Sequence, residues 1–329
     1  MTHIAICIPC YNEADNIRLL YNRLAATIDQ CQQYQFSIVF ADNRSTDGTL
    51  EIIKDLIEHD SRIGIIENVS NFGFVRSSAN ALLVPDADAS IFLMSDLQDP
   101  PELIPDLIER WNEGTSQVIF AVRRSSNENR TLFICKKFYY SLLAKLSEYP
   151  MVRNTTGFGI YDRTVIVALR QCTDSYPFIK GLVCAIGFAW DTIYYTSDNR
   201  NSGDSHASLN FLIDFGVLGI VTLSRKPMRM ITYAGVTLGL SSLALSMLAL
   251  VSKLLFWSLF QFGLAMFTVS ALFLLGIMLT ALGVIGEYVG FLSQRSLGLP
   301  LVVERCRYNV PQYTHDSNHY SHNTNMHSS

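Results

Sequence analysis

The chain has 329 residues, with 25 Lys and Arg against 29 Asp and Glu and a formal charge of −4. Near-balanced charge excludes a nucleic-acid binder that relies on net basicity, and the length allows one large or two modest domains. The mean hydropathy of +0.21 comes mostly from the last third of the chain, the earlier part having the composition of an ordinary soluble domain.

From the start, apolar strand-like runs alternate with helical patterns. Ile4–Ile8, Phe36–Ala41, Ile63–Glu67, Ala89–Met94 and Val118–Val122 are the predicted strands; Asn16–Cys31, Leu50–His59, Val75–Leu83 and Leu103–Asn112 are the predicted helices. Such alternation implies an α/β fold with a mostly parallel sheet covered by helices on both faces. Ligands of such sheets bind beyond the carboxyl ends of the strands. The polar residues fall there: Pro9-Cys10-Tyr11-Asn12-Glu13 after the first strand, Asp42-Asn43-Arg44-Ser45-Thr46-Asp47-Gly48-Thr49 after the second, and Ser95-Asp96-Leu97-Gln98-Asp99-Pro100-Pro101-Glu102 after the fourth. A shared site explains three such clusters better than three unrelated helix caps.

The last cluster is the centre of the chain. Pro101 suits the first position of a helix and Asp99 lies near that helix's N-terminus. In an extended segment Asp96 and Gln98 would leave the same side and approach one hard cation through oxygen, magnesium or manganese being suited. Ile4–Ile8 lacks the basic flank and longer apolar core of a secretory signal, so the first domain is expected in the cytosol. Seven cysteines at irregular spacing then point to reduced thiols. Cys7-Ile8-Pro9-Cys10 has redox or zinc spacing, but no second pair follows.

These residues carry a resemblance. Pro-x-Tyr-Asn-Glu, Asp-x-x-Ser-x-Asp-Gly-Thr, Asn71-Phe72-Gly73 and Asp-Leu-Gln-Asp-Pro-Pro-Glu, each following one of the first four strands, resemble the family 2 glycosyltransferases. More narrowly they resemble the polyprenyl-phosphate glycosyltransferases, the group of dolichyl-phosphate mannose synthase and the bactoprenol glucosyltransferases. Lys180-Gly181-Leu182, Ile186-Gly187-Phe188, Arg200-Asn201-Ser202-Gly203-Asp204-Ser205 and Gly286-Glu287-Tyr288 resemble that group's later landmarks in order.

The resemblance implies a glycosyltransferase A-type fold. It implies a nucleotide pocket of Pro9, Tyr11, Asn12, Glu13, Asp42 and Asn43, with Arg123 near the phosphates. Asp96 and Gln98 would hold the divalent cation that bridges the donor diphosphate, and Arg200, Ser205 and His206 would hold the acceptor phosphate, with Asp96 and Arg200 as the catalytic residues. The chain departs from the pattern at Asn43 and Arg44, where a second aspartate and a glycine are usual, and at Met94, where aspartate is frequent. It departs again at Gly159 and Ser197, where arginine is common.

Beyond Ser205 the composition shifts. Leu209–Leu223 is apolar apart from Asn210, Asp214 and Thr222, as in a helix lying along a membrane surface. Ile231–Val251 and Phe262–Ile285 carry no charge and are each long enough to cross about 30 Å of hydrocarbon. Arg225, Lys226 and Arg229 before them and Arg295, Arg305 and Arg307 after them place both ends on the cytoplasmic side. The expected organisation is a cytosolic catalytic domain over 1–206, an interfacial region over 207–229, two transmembrane helices over 230–290 and a cytosolic segment over 291–329, disordered after about 311. In a bacterium this is an inner-membrane protein.

The expected reaction moves one sugar from a nucleotide diphosphate sugar, a UDP-sugar before a GDP-sugar, to a polyprenyl phosphate, with inversion. Nucleic acid is not among the partners, and a homo-oligomer is compatible with the reading. Two other readings follow from the same residues: transfer to a lipid-linked oligosaccharide or polysaccharide, and a catalytically degenerate membrane scaffold of the same fold.

Overall fold

The computed structural model describes residues 1–124, 152, 155–172, 174, 176–196, 226–255, 264–296 and 298–311. The predicted alternation is present as β1 (His3–Cys10), α1 (Ala14–Ile28), β2 (Gln35–Asp42), α2 (Thr49–His59), β3 (Ile63–Asn68), α3 (Phe74–Leu83) and β4 (Ala89–Phe92). A 3-10 turn (Pro101–Leu103) then leads into α4 (Ile104–Asn112) and β5 (Val118–Arg123). Next come β6 (Gly159–Asp162), α5 (Arg163–Arg170), α6 (Ile179–Ile186), β7 (Trp190–Tyr195), the long helices α7 (Lys226–Leu255) and α8 (Leu264–Ser296), and a last strand, β8 (Glu304–Tyr308).

The strands form one sheet in the order β7-β5-β6-β4-β1-β2-β3-β8. β1 is parallel to both β2 and β4, β2 to β3, and β5 to β7. β6 runs antiparallel to β4 and β5, and β8 antiparallel to β3. All strands except β6 and β8 therefore point one way, as a mostly parallel sheet requires. The chain steps from β1 out to β3 and returns to β4 on the other side of β1, which puts the topological switch point between β1 and β4.

Alternation along β1 sorts the two faces. Ile4, Ile6 and Ile8 pack with Leu20 and Leu24 of α1, Ile53 of α2 and Leu107 of α4. Full burial of each such side chain contributes about 1.5–3 kcal/mol. Ala5 and Cys7 face the other way, with Leu82 of α3, Val165 and Leu169 of α5 and Val183 of α6. Cys7 and Cys10 thus belong to opposite faces, and the described cysteines are all free thiols. Burial pushes the Cys7 thiol up to about 12 and raises Cys10 as well, so neither is a reactive thiolate.

Gly159 corrects a sequence expectation. It starts β6 where that strand lies between β4 and β5, and a Cβ there would meet the Ile119 carbonyl oxygen at 2.2 Å and the Phe120 Cα at 3.1 Å. No arginine fits this register, so Gly159 is a close-approach glycine rather than a lost cation. Gly159→Ala is expected to destabilise the protein by about 1–3 kcal/mol through overpacking, read as a lower denaturation midpoint of the full chain.

β8 is a strand the sequence did not predict. The segment following the long helices, expected only as a cytosolic C-terminal segment, pairs with β3 and closes that edge of the sheet. Arg76 of α3 donates to the carbonyls of Leu301 and Pro300 at 2.7 Å each, and Asn80 donates to Glu304 at 2.9 Å. Asn309 donates to the carbonyls of Ser61 and Ile63, and Val310 is buried with Val39, Ala41, Ile66 and Ala81. Arg305 and Arg307, which served in the sequence as flanking charges, pair with Glu67 and Glu304.

α7 and α8 extend past both ends of the first predicted span and past the C-terminal end of the second. Leu238, Leu240 and Met247 of α7 and Leu274, Met278 and Leu282 of α8 are exposed. Among the described residues no helix is long and apolar enough to cross a membrane, and the side chains of several positions in both helices lie outside that set. The predicted interfacial helix and the tail beyond 311 also lie outside it.

Candidate active site

Three turns meet at the carboxyl edge of the sheet, and hydrogen bonds lace the first two together. Asn12, in the left-handed region at φ 55°, donates its N–H to Ser45 Oγ at 2.9 Å and accepts the Thr46 N–H at 2.8 Å. Thr49 Oγ1 accepts the Glu13 N–H at 2.9 Å, and Asp47 accepts from Thr49 and from the Ala14 N–H. These bonds hold the Asp47 carboxyl below its usual range against the opposing effect of burial. The interstrand register sets Cys10 beside Asp42, so Pro9, Tyr11, Glu13 and Asp42 are brought to one place.

Asp42 ends β2 and is 1% exposed, with both carboxylate oxygens 3.2–3.3 Å from the Ser45 N–H. Burial pushes its pKa up; the Ser45 and Arg44 hydrogen bonds pull it down, and the charge of Glu67 adds to the rise. Arg44 stands where the resemblance has glycine, and its φ of 69° is the reason, since a left-handed residue other than glycine costs about 1–2 kcal/mol.

Asn43 turns away from this group. Its amide donates to Asn71 Oδ1 at 2.8 Å, and its carbonyl accepts from Asn68 at 3.1 Å and from the Phe72 N–H at 3.0 Å. It is a buried brace for the Asn71-Phe72-Gly73 loop.

The turn after β4 also differs from its expected geometry. The strand ends at Phe92, and Leu97, fully buried, adopts φ 60°. Asp96 and Gln98 are therefore not successive same-side residues of an extended segment. Asp96 Oδ1 accepts the Gln98 N–H at 3.2 Å, and Gln98 Oε1 accepts from Arg123 Nη1 at 2.9 Å. Among the described residues no group of three or more His, Cys, Asp or Glu side chains could hold a metal ion. Asp96 fits a cation that takes one protein carboxylate and completes its shell with phosphate oxygens and water, as magnesium often does. Gln98 fits less well, because Arg123 engages its oxygen.

Asp99 is not a helix cap, and the 3-10 turn that follows has no side-chain cap. It is fully buried and accepts from Arg123 Nη2 at 2.7 Å, from Thr156 Oγ1 at 2.9 Å and from the Tyr195 hydroxyl. Tyr195 in turn accepts from Arg123 Nε at 3.0 Å. This network ties the ends of β5 and β7 and the loop before β6 to the Asp96 turn. Burial works against the Arg123 charge, but neighbouring Asp99 outweighs it and holds the guanidinium firmly protonated. Sequence reasoning placed Arg123 at this edge and missed Asp99, Thr156 and Tyr195 as its partners. Arg200, Ser205 and His206 lie outside the described residues.

A mostly parallel sheet with acidic and amide side chains at its switch point defines a doubly wound α/β fold of the ligand-binding kind. The chain belongs to the family described as Glycosyl transferase family 2, whose model matches residues 5–169, and it is a glycosyltransferase. It is 31% identical over 310 residues to the uncharacterized glycosyltransferase YkcC of Bacillus subtilis, covering 93% of this chain and 94% of that protein. A prophage bactoprenol glucosyl transferase homolog of Escherichia coli is 28% identical over 287 residues, covering 87% of this chain and 93% of its own. Staphylococcus aureus TarS 1-349 in complex with UDP-GlcNAc is similar over 68% of this chain and 67% of its own, at 17% identity and a TM-score of 0.46, too distant to inform the site.

Proposed function

We propose that this protein moves one sugar from a nucleotide diphosphate sugar, a UDP-sugar first, to a polyprenyl phosphate at the cytoplasmic face of a membrane, with inversion at the anomeric carbon. The observation that carries this reading is the extent of similarity. Likeness to proteins named bactoprenol glucosyl transferase covers 87% of the chain, far past the family domain at 5–169 and into the region of the two long helices. A water-soluble donor and a lipid acceptor call for a cytosolic site tied to a bilayer. α7 and α8, with uncharged stretches and exposed leucines and methionines, suit that tie.

The geometry of the edge supports roles for Asp42, Asp96 and Arg123, and the sequence resemblance supplies the others. Asp42, ionised, accepts the imide hydrogen of a uracil or the amide and amino hydrogens of a guanine. Pro9, Tyr11 and Glu13 line the same pocket. Asp96, with the donor phosphates, would hold a divalent cation, magnesium or manganese, which would supply charge neutralisation of the departing diphosphate. Arg123, fixed by Asp99 and Tyr195, adds a positioned positive charge on the same side. An ionised phosphate acceptor is already a nucleophile, so the protein's task is alignment rather than strong base catalysis. Arg200, Ser205 and His206 serve the acceptor phosphate.

The test is a panel of UDP- and GDP-sugars offered to the purified full chain with polyprenyl phosphate in detergent, with and without manganese. A mild-acid-labile monosaccharide-phosphate lipid is the expected product. An extended glycan, or no transfer and no donor hydrolysis under any condition, overturns the reading.

A further inference from the structure

β8 brings a charged side chain to the donor half of the site from far along the chain. Where β8 meets β3 the register slips: Glu67 pairs with Cys306 and Asn68 with Glu304, which leaves Arg305 as the extra residue on β8. A bulge of this kind re-aims a side chain out of strict alternation. Here Arg305 Nη1 donates to Glu67 Oε1 at 2.9 Å. The Cys306 thiol donates to the other carboxylate oxygen, and Arg44 Nη1 stands 3.6 Å from Oε1.

The Glu67 side chain is only 5% exposed, so its charge is poorly screened by water. Its parallel partner across the sheet is Asp42, and directly paired residues of neighbouring strands share a face. Burial raises the Asp42 pKa most, and the charge of Glu67 raises it further. Among the described residues, the other titratable groups around this pair are Cys10 of β1, Glu13 and Asp47 of the two turns, and Lys54 of α2. Glu13 and Asp47 add negative charge on the Asp42 side. Arg305 and Arg44 offset Glu67, and Arg305 is the nearer.

We infer that Arg305 is a positioning residue of the donor site: by balancing Glu67 it leaves Asp42 the negative charge with which it accepts the imide hydrogen of the donor's base. This rests on the donor reading above. The role falls to a residue that follows both long helices, so the nucleotide turns are electrostatically complete once β8 has joined the sheet.

The experiment is calorimetric titration of UDP and of GDP, with magnesium at fixed concentration, into the full chain in detergent at pH 8 and pH 5. The same titration is run on Arg305→Met, Arg305→Lys and Glu67→Gln. Protonation of the nucleotide itself is common to every protein and cancels in the ratio to wild type. A carboxylate beside an unbalanced negative charge takes up its proton at higher pH. Arg305→Met is therefore expected to bind within about twofold of wild type at pH 8 and about threefold more weakly at pH 5, a moderate effect because Arg305 is itself half-exposed. Arg305→Lys is expected to restore most of the difference. Glu67→Gln is expected to move the other way, binding more tightly than wild type at pH 5, and it decides the coupling if Arg305→Met does not fold. A loss of equal size at both pH values, no change in folded Arg305→Met, or weaker binding by Glu67→Gln at pH 5 overturns the role of Arg305 and leaves the donor reading standing. Wild-type protein that binds neither nucleotide at pH 8 removes the donor reading, and the role of Arg305 with it.

Discussion

Asp99→Ala is expected to be strongly destabilising, costing about 3–5 kcal/mol, because it leaves a guanidinium that is only 20% exposed without its counter-ion. Asp99 has no exposed surface and accepts from three side chains that come from β5, β7 and the loop before β6. Removing it leaves Arg123, Thr156 and Tyr195 short of an acceptor together. The comparison that isolates the pair is a double-mutant cycle with Arg123→Met, measured by chemical denaturation of the full chain. The double variant is expected to lose less than the sum of the single losses, since it no longer buries an unpaired charge. Strict additivity would show that the network is not the source of the effect.

Asp96→Asn is expected to lower the transfer rate roughly 10²–10³-fold, the range seen when a group that stabilises developing transition-state charge is removed. The fold is expected to survive, because an asparagine Oδ1 can still accept the Gln98 N–H that Asp96 accepts at 3.2 Å. Circular dichroism and melting temperature of the variant separate a chemical loss from a structural one. Full activity with divalent cation present would remove Asp96 from its role and would leave the diphosphate to Arg123.

Much of the scaffold was visible in the sequence, because its strands carry long apolar runs and its first four helices a clear stripe. The strands that escaped are those whose pattern is weak. β6 is four residues beginning at a glycine, and Glu304-Arg305-Cys306-Arg307-Tyr308 has the composition of a solvated tail because it is an edge strand, exposed along most of its length. The turns after β1 and β2 could be located from the strand ends they follow, since their hydrogen bonds are mostly between neighbouring turns. The conformation of the Asp96 turn was not legible in this way. Nothing about a leucine signals a left-handed backbone, and Leu97 takes that conformation while its side chain is fully buried in the core. Asp99 before two prolines resembles a helix cap locally; its real partners lie 24 to 96 residues away. Gly159 appeared to lack a cation only because the carbonyl that excludes one belongs to a neighbouring strand.

The return of β8 to the sheet bears on how the protein is made. Arg305 reaches Glu67 across 238 residues of chain. At ribosomal speeds of about 5–20 residues per second, some tens of seconds separate the emergence of β3 from that of its last neighbour. During that interval β3 presents an open row of backbone donors and acceptors, the kind of template on which nascent chains associate wrongly. Shortening the gene before β8 would make that transient hazard permanent, so fragments ending at the catalytic domain are expected to aggregate in detergent where the full-length chain does not, as size-exclusion chromatography of the two would show.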